Sequence, residues 1–493
     1  MRFVVTLAKN LSAVRNNFKE KIKGCSQLAL AITLLAGIFL VNSSCNFTGS
    51  SNSSNAPKPE FSLTKEAFLA DLKLRTFNYF WQVVDSATWQ SDDRYPTKHF
   101  TSIAATGFAL PAYIIGVENG YISRSLAAKR VLNTLQWLIN APQGAEKEGF
   151  SGHHGFYYHF LNYGSGTRYK DVELSSIDTG LLMAGILTVM SYFDENEPTE
   201  QQIRKLSDEL FRNVNWEWMM DNKTTMSMGW KPESGFIEAK WKGYNEAMIL
   251  LIMAMGSPTY PLSENSWDVW TSTYLWENFE GYEHVNFGPL FGHQYSHAFI
   301  DFRGIQDDYM REKNIDYFEN SRRATLSNRA YCIRNPLNFN GYSENIWGLT
   351  ASDGPGLGWK KWNTDSVDFK SYNARGVAVD YNQDDGTIAP TAAGGSIPFA
   401  PQEATDALFE MYQKFGNEIY RKYGFADAFN LSVSVTGWFA PDYIGIDQGA
   451  LLLQLENHQS ELIWNILKKN PYIIKGLQKA GFNGGWLDEI KQP

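Results

Sequence analysis

The chain has 493 residues, 43% of them hydrophobic, and a formal net charge of −9, enough for one large core or two ordinary ones. Its first twenty-four positions set Arg2, Lys9, Arg15, Lys19, Lys21 and Lys23 against Glu20, so the remainder is more acidic than the whole. An acidic body without a basic stripe excludes nucleic acid as the expected partner.

Aromatic residues make up 15% of the chain, with 16 Trp, 25 Tyr and 31 Phe. That exceeds the ordinary needs of one core, so part of this set is expected to line a groove. Flat rings suit the C–H face of a pyranose, while a large aromatic core is the competing use of the same residues.

Residues 28–41 (LALAITLLAGIFLV) follow the basic start and are too short for a membrane span, but they have the length of a signal-peptide core. Asn42, Ser43 and Ser44 then precede Cys45, which resembles a bacterial lipobox, although Asn42 stands where an aliphatic residue is usual. Residues 1–45 are therefore read as a signal peptide with lipidation at Cys45, and residues 46–60 as a flexible linker. The expected location is a bacterial cell envelope, as a periplasmic or outer-membrane lipoprotein, or outside the cell if the anchor is absent. Any contact with membrane is expected through that anchor. The body, residues 61–493, keeps only Cys332, so an internal disulfide is excluded there.

Within the body, residues 65–85 place Phe68, Leu72, Phe77 and Phe80 at helical spacing after Ser62 or Thr64 as cap. Residues 102–117 are almost wholly apolar, whereas 123–140 are amphipathic. The alternation recurs at 176–193 and 200–216, and again at 244–255 and 263–276. Helices at 402–415, 446–455 and 461–469 follow. An all-round apolar helix is buried, and an amphipathic one covers it. Three of the apolar runs begin alike: IAATGFAL at 103, IDTGLLM at 177 and IDQGALLL at 446. Repeated helical hairpins with converging starts predict an all-α fold, an (α/α)6 barrel of inner and outer helices. An open solenoid is the alternative, with units that should be more regular. Residues 281–400 are rich in Gly, Pro and aromatics without long alternating strands, and are expected to form the wall of a cleft.

The candidate chemistry centres on residues 171–185 (DVELSSIDTGLLMAG). Asp171, Glu173 and Asp178 stand at the mouth of an apolar helix whose cap is Ser175 or Ser176. Asp178 in the first turn is also what the helix dipole favours. Glu246 opens another apolar helix, where burial would raise its pKa as an acid catalyst requires. Glycoside hydrolysis needs this combination, one carboxyl to protonate the leaving oxygen and one carboxylate to activate water.

His293 and His297 are four residues apart, but a zinc-protease helix needs Glu where Gln294 stands. His153, His154 and His159 lie among aromatics without ligand spacing. Neither a metal nor a cofactor is therefore expected. The glycine-rich ASDGPGLGW at 351–359 lacks the strand and helix of a dinucleotide loop, and reads as a close-approach loop carrying Asp353 and Trp359. Trp347 and Arg303 lie in the same loop-rich region.

The sequence resembles the bacterial glucoamylase-like proteins that include glycoside hydrolase family 144. The resemblance is carried by ELSSIDTGLLMAG at 173–185, YNEAMILLIMAMGSPTYPL at 244–262, FGPLFGHQYSHAFIDFRG at 287–304, NIWGLTASDG at 345–354, DGTIAPTAAGGSIPFAP at 385–401 and PDYIGIDQGALLLQLEN at 441–457. It covers residues 61–482 in order. It implies an (α/α)6 barrel acting on β-1,2-glucans by an inverting mechanism without a metal, with catalytic acids in the stretches around 171–178 and at Glu246.

The expected activity is therefore hydrolysis of β-1,2-glucan to short oligosaccharides such as sophorose by a monomer. Glu246 is the expected general acid, and Asp178 or Asp171 the base, beside Glu173. Inverting carboxyls stand about 6.5–9.5 Å apart. Trp241, Tyr244, Trp347 and Trp359 are expected as sugar platforms, and Arg303, His293 and Asp353 as hydroxyl contacts. The alternative from another class is an inactive surface protein that binds glycan on the same fold.

Overall fold

The computed structural model describes residues 62–490. The predicted signal segment with Cys45, and the linker, lie outside the described residues. Helix α1 (Lys65–Gln82) is capped by Thr64 and buries Phe68, Leu72, Phe77 and Phe80, the four positions whose spacing predicts it. The short strand β1 (Arg94–Tyr95) leads to α2 (Ile103–Glu118), capped by Ser102 and buried on nearly every side. Amphipathic α3 (Arg124–Asn140) folds back along it. Strand β2 (Leu174–Ser175) runs directly into α4 (Ser176–Tyr192), followed by the outer helix α5 (Pro198–Asn213).

A hairpin of β3 (Gly229–Lys231) and β4 (Gly235–Phe236) pairs with β2 and precedes α6 (Ala247–Gly256). The chain continues through α7 (Tyr295–Phe299), α8 (Tyr317–Arg334) and a second hairpin, β5 (Gly358–Trp362) with β6 (Asp365–Phe369). Helices α9 (Pro390–Gly394) and α10 (Pro401–Ile419) follow, then β7 (Tyr443–Ile444), α11 (Gly445–Ser460) and α12 (Pro471–Lys479). Among the described residues no helix is long and apolar enough to cross a membrane, and the sheets hold two or three short strands each.

The inner ring consists of α2, α4, α6, α7, α9 and α11. Neighbours pack in that order, with α11 returning to α2. Between α7 and α9 the link is Gln294, whose amide donates to the Ala392 carbonyl and the Ser396 hydroxyl. Outer helices α1, α3, α5, α8, α10 and α12 cover this ring, and the architecture is an (α/α)6 barrel. The last of them, α12, fills the outer position beside α6. There a Cβ on Gly256 would meet the Tyr472 carbonyl oxygen at 2.0 Å, and one on Gly476 the Ile252 carbonyl oxygen at 2.0 Å.

The repeated turn-and-glycine pattern of the sequence has a packing cause. Gly107, Gly180 and Gly449 are each the fifth residue of their helix. A Cβ on Gly107 would lie 2.4 Å from the Leu181 carbonyl oxygen, one on Gly180 3.1 Å from Leu250 Cδ1, and one on Gly449 2.3 Å from the Phe108 ring. Each glycine thus meets the same level of the next inner helix, which sets neighbouring helices parallel with their N-termini at one end of the barrel. Four inner helices begin there, at Ile103, Ser176, Ala247 and Gly445, and their dipoles place partial positive charge around a common mouth.

Two expectations for the fold need correction. Residues 281–400 contain an 18-residue helix, α8. Its buried face includes Asn320, Ser321, Thr325, Ser327 and Asn328, so hydrophobic periodicity could not reveal it. The predicted helix at 263–276 shrinks to Asn265–Thr271, with Trp276 already in a strand.

Candidate active site

At the head of α4, the Ser175 hydroxyl accepts from the Asp178 N–H (3.2 Å) and donates to Asp178 Oδ2 (2.5 Å). This cap pins the carboxyl at the barrel mouth. His159 reaches it from the preceding loop, with Nε2 3.5 Å from Asp178 Oδ1 and Nδ1 2.9 Å from Glu173 Oε1. Burial works against a charged imidazole, but Asp178, Glu173 and Asp93 together hold the proton and push its pKa up to about 9. Glu173 responds in the opposite sense. Burial alone would raise it, yet the hydrogen bond and charge of His159 bring it down to about 2. Asp178 is raised, because its burial outweighs His159 and the Ser175 bond.

Glu246 heads α6, the inner helix next to α4. Its Oε2 is buried without a hydrogen-bond partner. Burial pushes its pKa up to about 7, a backbone N–H pulls the other way, and the Asp178 charge adds to the rise. The neutral carboxyl is therefore substantially populated at physiological pH.

A second acidic group faces these from α11. Asp447 lies in the first turn of that helix, and its carboxyl hydrogen-bonds the buried Asp427. Burial and the charge of Asp353 lift Asp427 to about 7, while burial and the charge of Asp427 raise Asp447 well above the usual carboxylate range. Two buried carboxyls in contact cannot both ionise cheaply, so the pair keeps a shared proton at neutral pH. Asp427 Oδ1 and Asp447 Oδ2 both lack hydrogen-bond partners. The Asp353 N–H donates to Asp427 Oδ2 at 2.6 Å.

Arg94 ties this side together, with Nη1 3.0 Å from Asp353 and 3.6 Å from Asp442, and Nε 3.1 Å from Asp93. It can do so because β1 pairs with β7, the strand that runs into α11. The Tyr295 hydroxyl on α7 is buried without a partner and feels the charges of both Asp447 and Glu246, which places the two acidic groups around one space.

The predicted residues divide accordingly. Glu246, Asp178, Glu173 and Asp353 come together at the mouth. Asp171 does not: it is exposed on the turn after Lys170. Trp241 is buried, with its indole N–H donating to the Ser176 hydroxyl at 2.9 Å, so it braces the start of α4. Tyr244 is also buried, stacked against Tyr317 and packed on His293, and the His293 imidazole is wholly enclosed. Trp347 has no exposed surface and belongs to the core around α9. Arg303 pairs with Asp301 and with Glu461, the C-cap of α11, and lies over Trp464. That is the end of the barrel away from the mouth. Burial and distance therefore remove Trp241, Tyr244, His293, Trp347 and Arg303 from direct sugar contact. Trp359 is 70% exposed on the β5–β6 hairpin.

His159, Asp93, Arg94, Asp427 and Asp447 were missed as site residues. For Asp447 a signal exists: Ile446-Asp447-Gln448-Gly449 repeats Ile177-Asp178-Thr179-Gly180, and both acids occupy the first turn of an inner helix. Among the described residues no group of three His, Cys, Asp or Glu side chains is arranged to hold a metal ion.

The fold and site define an (α/α)6 barrel with an acidic cleft at the N-terminal end of its inner helices. The family described as "Glycoamylase: Putative glucoamylase" matches residues 238–471. A crystal structure described as a glucoamylase of this kind, from Bacteroides uniformis, is 32% identical and superposes with a TM-score of 0.76 over 87% of this chain and 100% of its own. The endo-β-1,2-glucanase from Chitinophaga pinensis, solved with sophorotriose and glucose, is 27% identical, with a TM-score of 0.75 over 86% of this chain and 100% of its own. An exo β-1,2-glucooligosaccharide sophorohydrolase (non-reducing end) of Parabacteroides distasonis is 30% identical over 466 residues, which cover 87% of this chain. This chain spans 60% of the length of that relative. The chain belongs to the glucoamylase-like family.

Proposed function

We propose that the protein is a glycoside hydrolase that cleaves β-1,2-glucan to short oligosaccharides such as sophorose, by inversion at the anomeric carbon. The observation that carries the reading is the Glu246 carboxyl, unpartnered and raised to about 7, across the mouth from the buried Asp427–Asp447 carboxyl pair. The relatives from Chitinophaga pinensis and Parabacteroides distasonis, both named for β-1,2-glucan chemistry, support the substrate class.

In this mechanism Glu246 gives its proton to the glycosidic oxygen as the C1–O bond breaks. Water adds to C1 from the other face of the ring and loses its proton to the base. Asp178 is a poor choice for that base, because its carboxyl is engaged by the Ser175 hydroxyl at 2.5 Å and by the His159 imidazole at 3.5 Å. Asp447 approaches from α11, separated from α6 in the ring by α7 and α9 on one side and by α4 and α2 on the other. The base is therefore assigned to the singly ionised Asp427–Asp447 pair, in which one carboxylate accepts the proton while its partner stays neutral. Asp178, held by His159, keeps Glu246 protonated. Asp171 has no role in this reading.

Incubating the purified protein with linear β-1,2-glucan tests it, with product chain length and anomeric configuration read by chromatography and NMR. Release of oligosaccharides with inverted configuration is expected, and Glu246→Gln should bind glucan without cleaving it. Binding by the wild type without new reducing ends would instead identify a glycan-binding protein. We also propose lipidation at Cys45 in the bacterial envelope, supported by the segment before it. Cys45→Ser should move the protein from the detergent phase to the aqueous phase.

A further inference from the structure

On the β5–β6 hairpin, side chains alternate between two faces. One face docks onto the body: Val367 and Phe369 are buried, and Trp362 stacks on Phe339 with ring centroids 5.4 Å apart. Trp359 pairs across the hairpin with Asp368 and points the other way, 70% exposed. A single exposed aromatic residue needs no explanation. Trp359, however, borders a cavity of about 380 Å³ with Asp368, Lys370, Asn373, Asn382 and Gln383, a volume in the range of small-molecule sites.

Three features of this groove select its ligand. It joins one flat aromatic face to amide and amine donors and carboxylate acceptors, with Lys370 Nζ 2.5 Å from Gln383 Oε1, which is the chemistry that binds a sugar ring and its hydroxyls. Asp365, Asp368 and Asp384 line it beside Lys370, while Asp385 is paired with the buried Arg375, so the lining carries more acid than base, which disfavours an anionic polymer and not a neutral polyol. It also lies beside the cleft. The Arg375 guanidinium donates to the Lys370 carbonyl at 3.0 Å and to the Asp353 carbonyl at 3.3 Å, and the Asp353 N–H donates to Asp427 at 2.6 Å, so a chain leaving the acidic centre past this loop and Tyr372 reaches Trp359.

We infer that this groove is an accessory glucan-binding subsite, in which Trp359 stacks on a sugar ring of the same chain whose bond is held at Glu246. The inference rests on the glucan-hydrolase reading for the identity of the chain. The subsite engages long substrates and is out of reach of short ones.

The test uses the full protein, with Trp359→Ala and Trp359→Phe, on long linear β-1,2-glucan and on a β-1,2-linked tetrasaccharide. Loss of one well-placed aromatic contact should lower kcat/KM for the long chain about five-fold more than for the tetrasaccharide, through KM, and Phe should restore most of it. In gels containing β-1,2-glucan, Glu246→Gln should be retarded, and the Glu246→Gln/Trp359→Ala double variant less so. Equal effects on both substrates, with unchanged retardation, overturn the subsite while leaving the hydrolase reading intact. If the wild type cleaves nothing but retardation still depends on Trp359, the subsite stands and the hydrolase reading falls. No cleavage and no Trp359-dependent retardation overturn both.

Discussion

The Nδ1–H of His159 meets Oε1 of Glu173 at 2.9 Å, and the two groups shift each other's protonation in opposite directions. The imidazole, near 6.5 when free, is raised to about 9 in the fold. Its stabilising contribution is therefore complete below about pH 6.5 and is lost as pH rises through about 9. Glu173 is lowered to about 2, so its contribution is present above its unfolded value of about 4.3 and is lost as pH falls through about 2. The pair stabilises most between those limits. Urea unfolding midpoints measured from pH 6 to 10 should decline for the wild type, and His159→Asn should flatten that alkaline decline.

Asp178 and Glu246, at the heads of adjacent inner helices, predict a pH effect on catalysis. Glu246 must be protonated to act as acid, and burial with the nearby Asp178 charge sets its pKa at about 7. Activity should fall as pH rises through about 7. A like charge disfavours ionisation, so its removal lowers the pKa. In Asp178→Asn the alkaline limb of kcat/KM should move to lower pH, as measured on β-1,2-glucan. An unmoved limb would show that the two carboxyls do not interact.

Asp447 and Asp171 should separate sharply in a second pair of variants. Loss of a general base costs about 10²–10⁴-fold in rate, and Asp447→Asn is expected in that range, with binding of glucan retained. Asp171 is exposed on its turn, and Asp171→Asn should leave kcat within about two-fold of the wild type, as for most surface substitutions. The reverse ranking would restore the base to the loop before α4.

How far the sequence made this visible depended on what each residue packs against. Inner helices such as α4 and α6 were legible because a helix buried on all sides must be apolar throughout. Their shared glycines marked a level of close approach before any neighbour was known. α8 was hidden because its buried face uses Asn320 and Ser321, and the Asn320 side chain caps no run of its own but accepts from the Val285 N–H at 2.7 Å. At the site, Glu246 and Asp178 announced themselves as acids opening apolar helices. Asp427 did not, since its meaning comes from contact with Asp447, twenty residues along the chain and across a loop. Aromatic residues misled for the same reason: Trp347 and Tyr244 have the right chemistry for a sugar platform, and only packing shows that they face inward.

Arg375 makes the last prediction, because it organises the loop that carries Asp353 and Tyr372. It is wholly buried, with Nε and Nη2 each 2.8 Å from Asp385 in a bidentate pair. Its remaining donors reach the carbonyls of Ser352, Lys370 and Ser371 at 2.6, 3.0 and 3.0 Å. No lysine could satisfy this set, since a single ammonium lacks the planar fork. Arg375→Ala would leave the Asp385 carboxylate buried without its cation and would free those carbonyls, at a cost of about 3–5 kcal/mol. Arg375→Lys keeps the charge but loses the fork, so it should lower the thermal midpoint less and still weaken catalysis by misplacing Asp353, which supports Asp427 through its N–H. Unfolding and kinetics on both variants check this, and an Arg375→Lys enzyme with unchanged kcat would free the base pair from dependence on that loop.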